Sequence, residues 1–162
     1  MFVRTKRLML RPGWPEDAEE LANAIGHESV VRNLSRVPWP YTQEDAKAFL
    51  ADIGGVLAAR FLVLAHDAGN VRLIGCVGVQ PTGRNGAYEL GYWLTPDAWG
   101  RGYATEAGQG ALAAVRSIGV RRVEAGHAID NPASGRVLRK LGFRPTGEIR
   151  RVYSRARGQE VD

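Results

Sequence analysis

Apolar residues along the first half of the chain fall in short clusters separated by turn residues, and their spacing alternates between helical and strand-like. Leu8-Met9-Leu10-Arg11 predicts a first strand over 8–11, ended by Pro12-Gly13. Pro15 stands at a helix start, with Glu16, Asp17, Glu19 and Glu20 in a first turn where acids suit the positive helix end. Leu21, Ala24 and Ile25 give that helix an apolar face, and a second short helix is expected over 28–34. Val37-Pro38-Trp39-Pro40-Tyr41 is too proline-rich for helix or strand and predicts an ordered loop carrying two aromatics. Thr42, with Asp45 three residues on, predicts an N-cap and a helix through Ala46, Phe49, Leu50 and Ile53.

The middle of the chain reads as β. Strands are expected over 61–65, 73–79 and 87–94, separated by turn chemistry at 67–70 and 82–86. Connections this short join antiparallel neighbours, because parallel pairs need a long crossover. After a glycine-bearing loop at 95–102 the pattern changes. A helix of small residues (103–118), a strand (122–129), a short helix (132–141) and a strand from Phe143 alternate. The fold class is therefore α+β, and the absence of repeats or low-complexity linkers makes residues 1–162 a single domain.

Composition narrows this picture. With 162 residues, 44% of them hydrophobic, the chain suits one domain with its own core. No apolar run approaches the roughly 18 residues of a membrane span. The opening Met1-Phe2-Val3-Arg4-Thr5-Lys6-Arg7 also lacks the apolar stretch of a signal peptide. The single cysteine, Cys76, forms no internal disulfide, and a reducing, cytoplasmic interior is the expected compartment. In its apolar strand it reads as buried and inert. His27, His66 and His127 lack metal-ligand spacing, so no metal is expected.

The net charge is +5, and seven basic residues from Arg139 onward face only Glu148, Glu160 and Asp162. Such a tail suggests an anionic partner, namely nucleic acid, an acidic protein or the phosphates of a small molecule. Against this, all but three of the 22 cations are arginine, as a compositional bias would also produce. No nucleic-acid reading motif accompanies the tail.

The most informative chemistry lies in Leu94-Thr95-Pro96-Asp97-Ala98-Trp99-Gly100-Arg101-Gly102-Tyr103-Ala104-Thr105. A strand ends, glycines turn the chain and a helix begins, which points backbone N–H groups and the positive helix end at one spot. A P-loop would need a Lys-Ser/Thr pair, and none follows the glycines. A dinucleotide-binding loop is closer, with Gly100-x-Gly102-x-x-Thr105 and Glu124 about twenty residues on. Thr105 replaces its third glycine, however, the preceding strand closes an antiparallel meander, and too little chain remains to finish a half-sheet.

Tyr88-Glu89-Leu90-Gly91-Tyr92-Trp93-Leu94 followed by Trp99-Gly100-Arg101-Gly102-Tyr103-Ala104-Thr105-Glu106-Ala107 resembles the acyl-CoA motif of the GNAT N-acetyltransferase superfamily. The match is nearest to its ribosomal-protein-acetylating, RimJ/RimL-like branch. It extends in order through Arg7-Leu8-Met9-Leu10-Arg11-Pro12, Pro38-Trp39-Pro40-Tyr41-Thr42 with Asp45-Ala46, and Asn131-Pro132-Ala133-Ser134 running into Leu141-Gly142-Phe143. Trp99 departs from the Arg/Gln that opens the superfamily loop, while Gly102 and Ala104 match it.

The resemblance implies a GNAT fold, a twisted, mostly antiparallel sheet flanked by helices and splayed between its fourth and fifth strands. It also implies acetyl-CoA as co-substrate and direct transfer to a primary amine, either a protein N-terminus or a small molecule such as an antibiotic, polyamine or amino acid. A non-catalytic acyl-CoA-binding module is the alternative from another class. By the same resemblance, the pyrophosphate lies over the amides of Gly100, Arg101, Gly102, Tyr103, Ala104 and Thr105, with Trp99 also counted as cofactor-binding, and the pantetheine arm runs beside Tyr92, Trp93 and Leu94. The Leu94 N–H polarises the thioester carbonyl. Asn131 contacts the arm, or simply caps its helix. Ser134 protonates the departing thiolate, in a chain where the superfamily's frequent tyrosine is Leu138. Glu89 is the base, or a solvent-facing strand residue. Trp39 and Tyr41 wall the acceptor pocket, or pack in the core. A monomer or homodimer without membrane contact is expected. The family's further closing strand is either abbreviated here, within Gly158-Gln159-Glu160-Val161-Asp162, or lies beyond this sequence.

Overall fold

A computed structural model describes residues 1–53 and 59–162. The alternation of apolar positions has become six strands in sequential order: β1 (Val3–Arg4), β2 (Leu8–Arg11), β3 (Ala59–Asp67), β4 (Asn70–Pro81), β5 (Tyr88–Leu94) and β6 (Val123–Glu124). Neighbours pair antiparallel throughout, except that β5 and β6 run parallel. Strand period two sends alternate side chains to opposite faces. Leu8, Leu10, Phe61, Val63, Val77 and Leu90 enter the larger core, while Leu62, Leu64 and Leu73 enter a second one on the other face.

Helices cover both faces. The second core is closed by α1 (Ala18–Ile25) and α3 (Gln43–Asp52), and the short α2 (Glu28–Val31) adds Val30 and Val31 to a satellite cluster. The expected cap is present, with Thr42 accepting from the Asp45 N–H and the Asp45 carboxylate accepting from the Thr42 N–H. On the first face lie α4 (Tyr103–Ser117) and α5 (Pro132–Lys140). Among the described residues no helix is long and apolar enough to cross a membrane.

Small residues let α4 lie close to its neighbours. A Cβ on Gly108 would stand 2.6 Å from Leu141 Cδ1, and one on Gly110 would stand 3.0 Å from Leu10 Cδ1. Both α4 and α5 end in the same way. Gly119 and Gly142 adopt φ of +92°, and the N–H groups of Val120 and Phe143 reach back to the carbonyls of Val115 and Leu138. These are glycine-terminated Schellman turns.

Two expected strands differ. The strand over 122–129 pairs only at Val123–Glu124, and the Ile129 N–H donates to the Asp162 carbonyl instead of to the sheet. The strand from Phe143 is absent over residues 143–151: the Schellman turn holds the Phe143 N–H, Pro145 has none, and Gly147 turns the chain at φ +77°. The chain finishes in a separate hairpin, β7 (Val152–Ser154) against β8 (Gln159–Val161). It is anchored by Arg157, which donates to both Asp130 oxygens at 2.8 and 3.0 Å and to the Arg32 carbonyl at 2.7 Å.

Near the start of α1, the half-buried Arg11 and the buried Asp17 form a two-point ion pair at 2.8 and 2.7 Å, and the Trp14 N–H also donates to Asp17. The hydrogen bond from Arg11 holds the Asp17 carboxyl below the usual carboxylate range, against the opposing effect of burial. A depressed folded-state pKa gives stability that is present above the ordinary Asp value of about 3.9 and lost as pH falls through the lowered one. Asp17→Asn is expected to cost about 1–3 kcal/mol at pH 7, because it removes the charged partner of a half-buried guanidinium. In urea unfolding, the gap to wild type should shrink progressively below pH 4 or so.

Candidate active site

The site is built around the strand β5, which is paired along its whole length with β4 but only at its start on the other edge. The Thr95 N–H donates to the Ile74 carbonyl at 2.8 Å, so the odd-numbered residues Glu89, Gly91 and Trp93 direct their backbone groups to β4. The even-numbered residues direct theirs the other way, as the bond from the Tyr88 N–H to the Arg122 carbonyl shows. Pairing with β6 stops at Glu89, opposite Glu124, so the N–H groups of Tyr92 and Leu94 point into the opening between the two strands. This is the expected splay; the additional two-residue strand Val3–Arg4 makes its edges the fifth and sixth strands of the sheet.

The loop at the end of β5 leads directly into α4. Trp99 folds back so that its Nε1–H donates to the Leu94 carbonyl at 2.9 Å, leaving the Leu94 N–H as the group offered to the opening. Gly100 and Gly102 take φ of +73° and +77°. Gly102 is the N-cap of α4 in the left-handed region, and no side chain caps the helix. The first amides of α4 therefore keep the unsatisfied donors and positive end that suit an anion.

Across the opening, the expected helix cap at Asn131 is present, with its Oδ1 accepting from the Ser134 N–H at 3.4 Å. Ser134 Oγ lies 2.6 Å from the Tyr92 hydroxyl. Burial pushes the Tyr92 phenol up while the Ser134 bond opposes it, so Tyr92 is protonated at neutral pH and able to donate to Ser134 Oγ. This pair was not anticipated. The available signal was strand parity, which puts Tyr92 on the same face as Leu90 and Leu94, toward α5. His127 packs its ring over Gly135, where a Cβ would stand 2.8 Å from Nε2.

Other candidate residues stand apart from that cluster. Glu89 is exposed on the opposite face of the sheet, beside Glu124 in register, and about 10 Å along the strand from Tyr92 at the usual rise per residue. Trp93 shares that face and packs with Tyr41 against the second core and its satellite. Burial, reinforced by Asp45 and Cys76, pushes the Tyr41 hydroxyl up to about 12. Trp39 is 40% exposed. Cys76 is buried, and desolvation pushes its thiol up to about 12.

The cations divide by location. Arg150 pairs with Glu148, Arg151 with Asp162 and Arg157 with Asp130. Arg155 donates to the Arg36 carbonyl. Arg101, Arg136, Arg139 and Lys140 are exposed and form no ion pair among the described residues. The first turn of α4 is braced by Glu106, which accepts from the Thr5 hydroxyl at 2.6 Å and from the Arg7 N–H and Nε–H, each at 2.7 Å.

A half-paired strand, an uncapped helix N-terminus and a facing hydroxyl pair form a cleft suited to an extended ligand that carries both amides and an anion. Residues 7–144 match the acetyltransferase (GNAT) domain. The chain belongs to the GNAT acetyltransferase family and is an acyltransferase of the N-acetyltransferase class. The Bacillus subtilis (strain 168) protein described as an uncharacterized N-acetyltransferase, YnaD, is 30% identical over 148 residues, covering 91% of this chain and 85% of that protein. Two solved structures share the fold. The ribosomal-protein-S5-alanine acetyltransferase of Vibrio fischeri has a TM-score of 0.80 at 20% identity, covering 99% of this chain and 93% of that one. The spermidine N-acetyltransferase of Vibrio cholerae, in complex with CoA and spermine, has a TM-score of 0.78 at 19% identity, covering 97% and 93%.

The left-handed backbone at Gly102 gives a prediction independent of any ligand. Gly102→Ala places a side chain where L-residues are strained by roughly 1–2 kcal/mol. The denaturant midpoint should fall accordingly, whereas Gln109→Ala on the exposed face of the same helix should leave it nearly unchanged.

Proposed function

We propose that this N-acetyltransferase takes its acetyl group from acetyl-CoA and delivers it directly to a primary amine, with a protein N-terminus as the first candidate acceptor. The observation that carries the reading is the unpaired edge of β5, which the loop 95–102 joins to the uncapped start of α4. An amide-bearing arm satisfies such an edge as an added strand would. The amides of residues 100–105 suit a pyrophosphate, and the unpaired cations of the loop and α5 suit the cofactor's remaining charge. Bound there, acetyl-CoA supplies an activated acyl group as a thioester.

The placement of this chain's residues supports a role for each. The Leu94 N–H, freed from its own strand and aimed into the opening, serves as the donor for a carbonyl oxygen. Ser134 provides a proton for a departing thiolate, and Tyr92, held protonated by burial, replaces it through their shared hydrogen bond. Asn131 orients Ser134 through the helix cap. An attacking amine must be neutral, because an ammonium has no lone pair to offer. Glu89 takes up that proton from the opposite face, directly or through water, so that acid and base approach the opening from different sides. Trp39 and Tyr41 flank the acceptor approach on the Glu89 face.

A small polyamine-like cation is the second reading. It is favoured by the side-by-side register of Glu89 and Glu124 on the exposed end of that face. The likeness to the spermine-bound spermidine acetyltransferase points the same way.

Saturating CoA should raise the melting temperature, by an amount equivalent to about 2.7 kcal/mol at a hundred times Kd. No shift at millimolar CoA would overturn the cofactor assignment. A thiol-release screen over N-terminal peptides, polyamines, aminoglycosides and amino acids then identifies the acceptor. With that acceptor, Ser134→Ala should lower kcat roughly a hundredfold and Tyr92→Phe roughly tenfold, with KM for acetyl-CoA little changed. Glu89→Gln should lower kcat roughly a hundredfold, the size of a lost general base. Unchanged turnover in Ser134→Ala and Glu89→Gln would remove both from the chemistry.

A further inference from the structure

A carboxylate in the first turn of a helix normally strengthens that helix, but at an anion-binding N-terminus it competes with the ligand for the same positive end. Glu106 occupies this position in α4, four residues past the N-cap Gly102. Its charge is fully engaged from the far end of the chain. Oε1 accepts from the Thr5 hydroxyl and the Arg7 N–H, and Oε2 accepts from Arg7 Nε–H. Burial alone would push the Glu106 carboxyl up, yet these donors hold it below the usual carboxylate range, so it is ionised at neutral pH.

Arg7 makes two further contacts. Its Nη1–H donates to the Arg101 carbonyl at 2.8 Å, fixing the loop between the two positive-φ glycines. Its guanidinium lies 4.4 Å above the Tyr103 ring, a cation–π contact that sets the plane of the group. Nη2 has no hydrogen-bond partner among the described residues and lies 3.4 Å from the point where a Gly102 Cβ would stand. The Arg7 side chain remains 41% exposed. An open groove of about 680 Å³ lies here, lined by Arg4, Lys6, Arg7 and Lys140 together with Gly102 and Thr105.

We propose that Arg7 is a positioning residue for the phosphates of the cofactor: it draws the Glu106 carboxylate away from the α4 N-terminus, holds the Arg101 carbonyl aside, and presents Nη2 beside Gly102 to a phosphate oxygen. The proposal rests on the acetyl-CoA reading above. It gives a role to two sequence blocks, around Arg7 and Glu106, that are 99 residues apart and meet only in the fold.

The test is a cycle of CoA dissociation constants measured by calorimetry on wild type, Arg7→Gln, Glu106→Gln and the double variant, each verified as folded by its urea midpoint. Arg7→Gln is expected to weaken CoA roughly tenfold or more, the size of a lost charge-assisted bond with an uncovered carboxylate beside it. Glu106→Gln in the Arg7→Gln background should then recover about fivefold, since the repelling charge is gone. A merely structural brace predicts the reverse, with the double variant no tighter than Arg7→Gln, and that result overturns the proposal. Arg7→Gln within twofold of wild type also overturns it. If Arg7→Gln does not fold, Arg7→Lys with and without Glu106→Gln carries the same comparison, since one ammonium cannot hold both Glu106 and the Arg101 carbonyl. Failure of CoA to bind wild type rejects the cofactor reading itself, a result distinct from either of these.

Discussion

Backbone N–H and C=O groups inside a sheet need partners on both sides of every strand. Strand β5 meets this requirement along its β4 edge and, on the other edge, only at Tyr88 and Glu89. Two features keep the remainder open. The Schellman turn at Gly119–Val120 returns the chain from α4 to the start of β5, so β6 is in register only there. Further along, the Ile129 N–H is claimed by the Asp162 carbonyl, and Asp130 by Arg32 and Arg157. The C-terminal hairpin thus holds the second arm of the opening away from the first. A short terminal element that looks peripheral in the sheet order helps to maintain the cleft.

The opening is useful because of what lies at its two sides. The small residues of α4 bring that helix against the sheet and against Leu141, which sets its N-terminus at the point where β5 ends. The helix dipole and the free strand edge therefore adjoin. From the other side, the Asn131 cap fixes the first turn of α5, and Ser134 reaches the Tyr92 hydroxyl. Close packing and side-chain chemistry adjoin here: a bulkier residue at Gly108 or Gly135 would meet the Leu141 or the His127 side chain, which would have to give way.

Much of this was legible in the sequence for a physical reason: the signals involved are local. The meander over β3, β4 and β5 follows from alternation and short turns, α3 from the Thr42–Asp45 cap, and α4 from its small-residue run after a glycine loop. The Asn131 cap was one of two readings offered for that residue, and the structure makes it. The misreadings occur where pairing is decided at long range. Residues 122–129 have the composition of a strand, but most of their length faces an opening. Residues 143–151 are extended in pattern, yet Gly142, Pro145 and Gly147 deny them a ladder. The Tyr92–Ser134 bond, 42 residues long in sequence, and the Arg7–Glu106 pair needed the fold to be seen.

The surplus charge also becomes clearer in three dimensions. The late arginines Arg150, Arg151, Arg155 and Arg157 are engaged by Glu148, Asp162, the Arg36 carbonyl and Asp130, so the basic tail mostly holds the hairpin and its surroundings. Exposed positive charge without an ion pair among the described residues remains on the loop and on α5, at Arg101, Arg136, Arg139 and Lys140. On the other face, Glu89 and Glu124 stand side by side, with Glu148 and Arg150 close by. The cleft therefore has exposed cations on its α4–α5 side, while on the opposite side Arg122 engages Glu124 and Arg150 engages Glu148, leaving Glu89 as the carboxylate without an ion pair there among the described residues. Under the proposed function this polarity matches the two substrates, an anionic acyl donor and an amine that arrives protonated. Because the two sides are separated by the sheet itself, the proposed reaction has each substrate approach from its own side and meet the other at the gap beside Leu94, where β5 has no partner strand on that edge among the described residues.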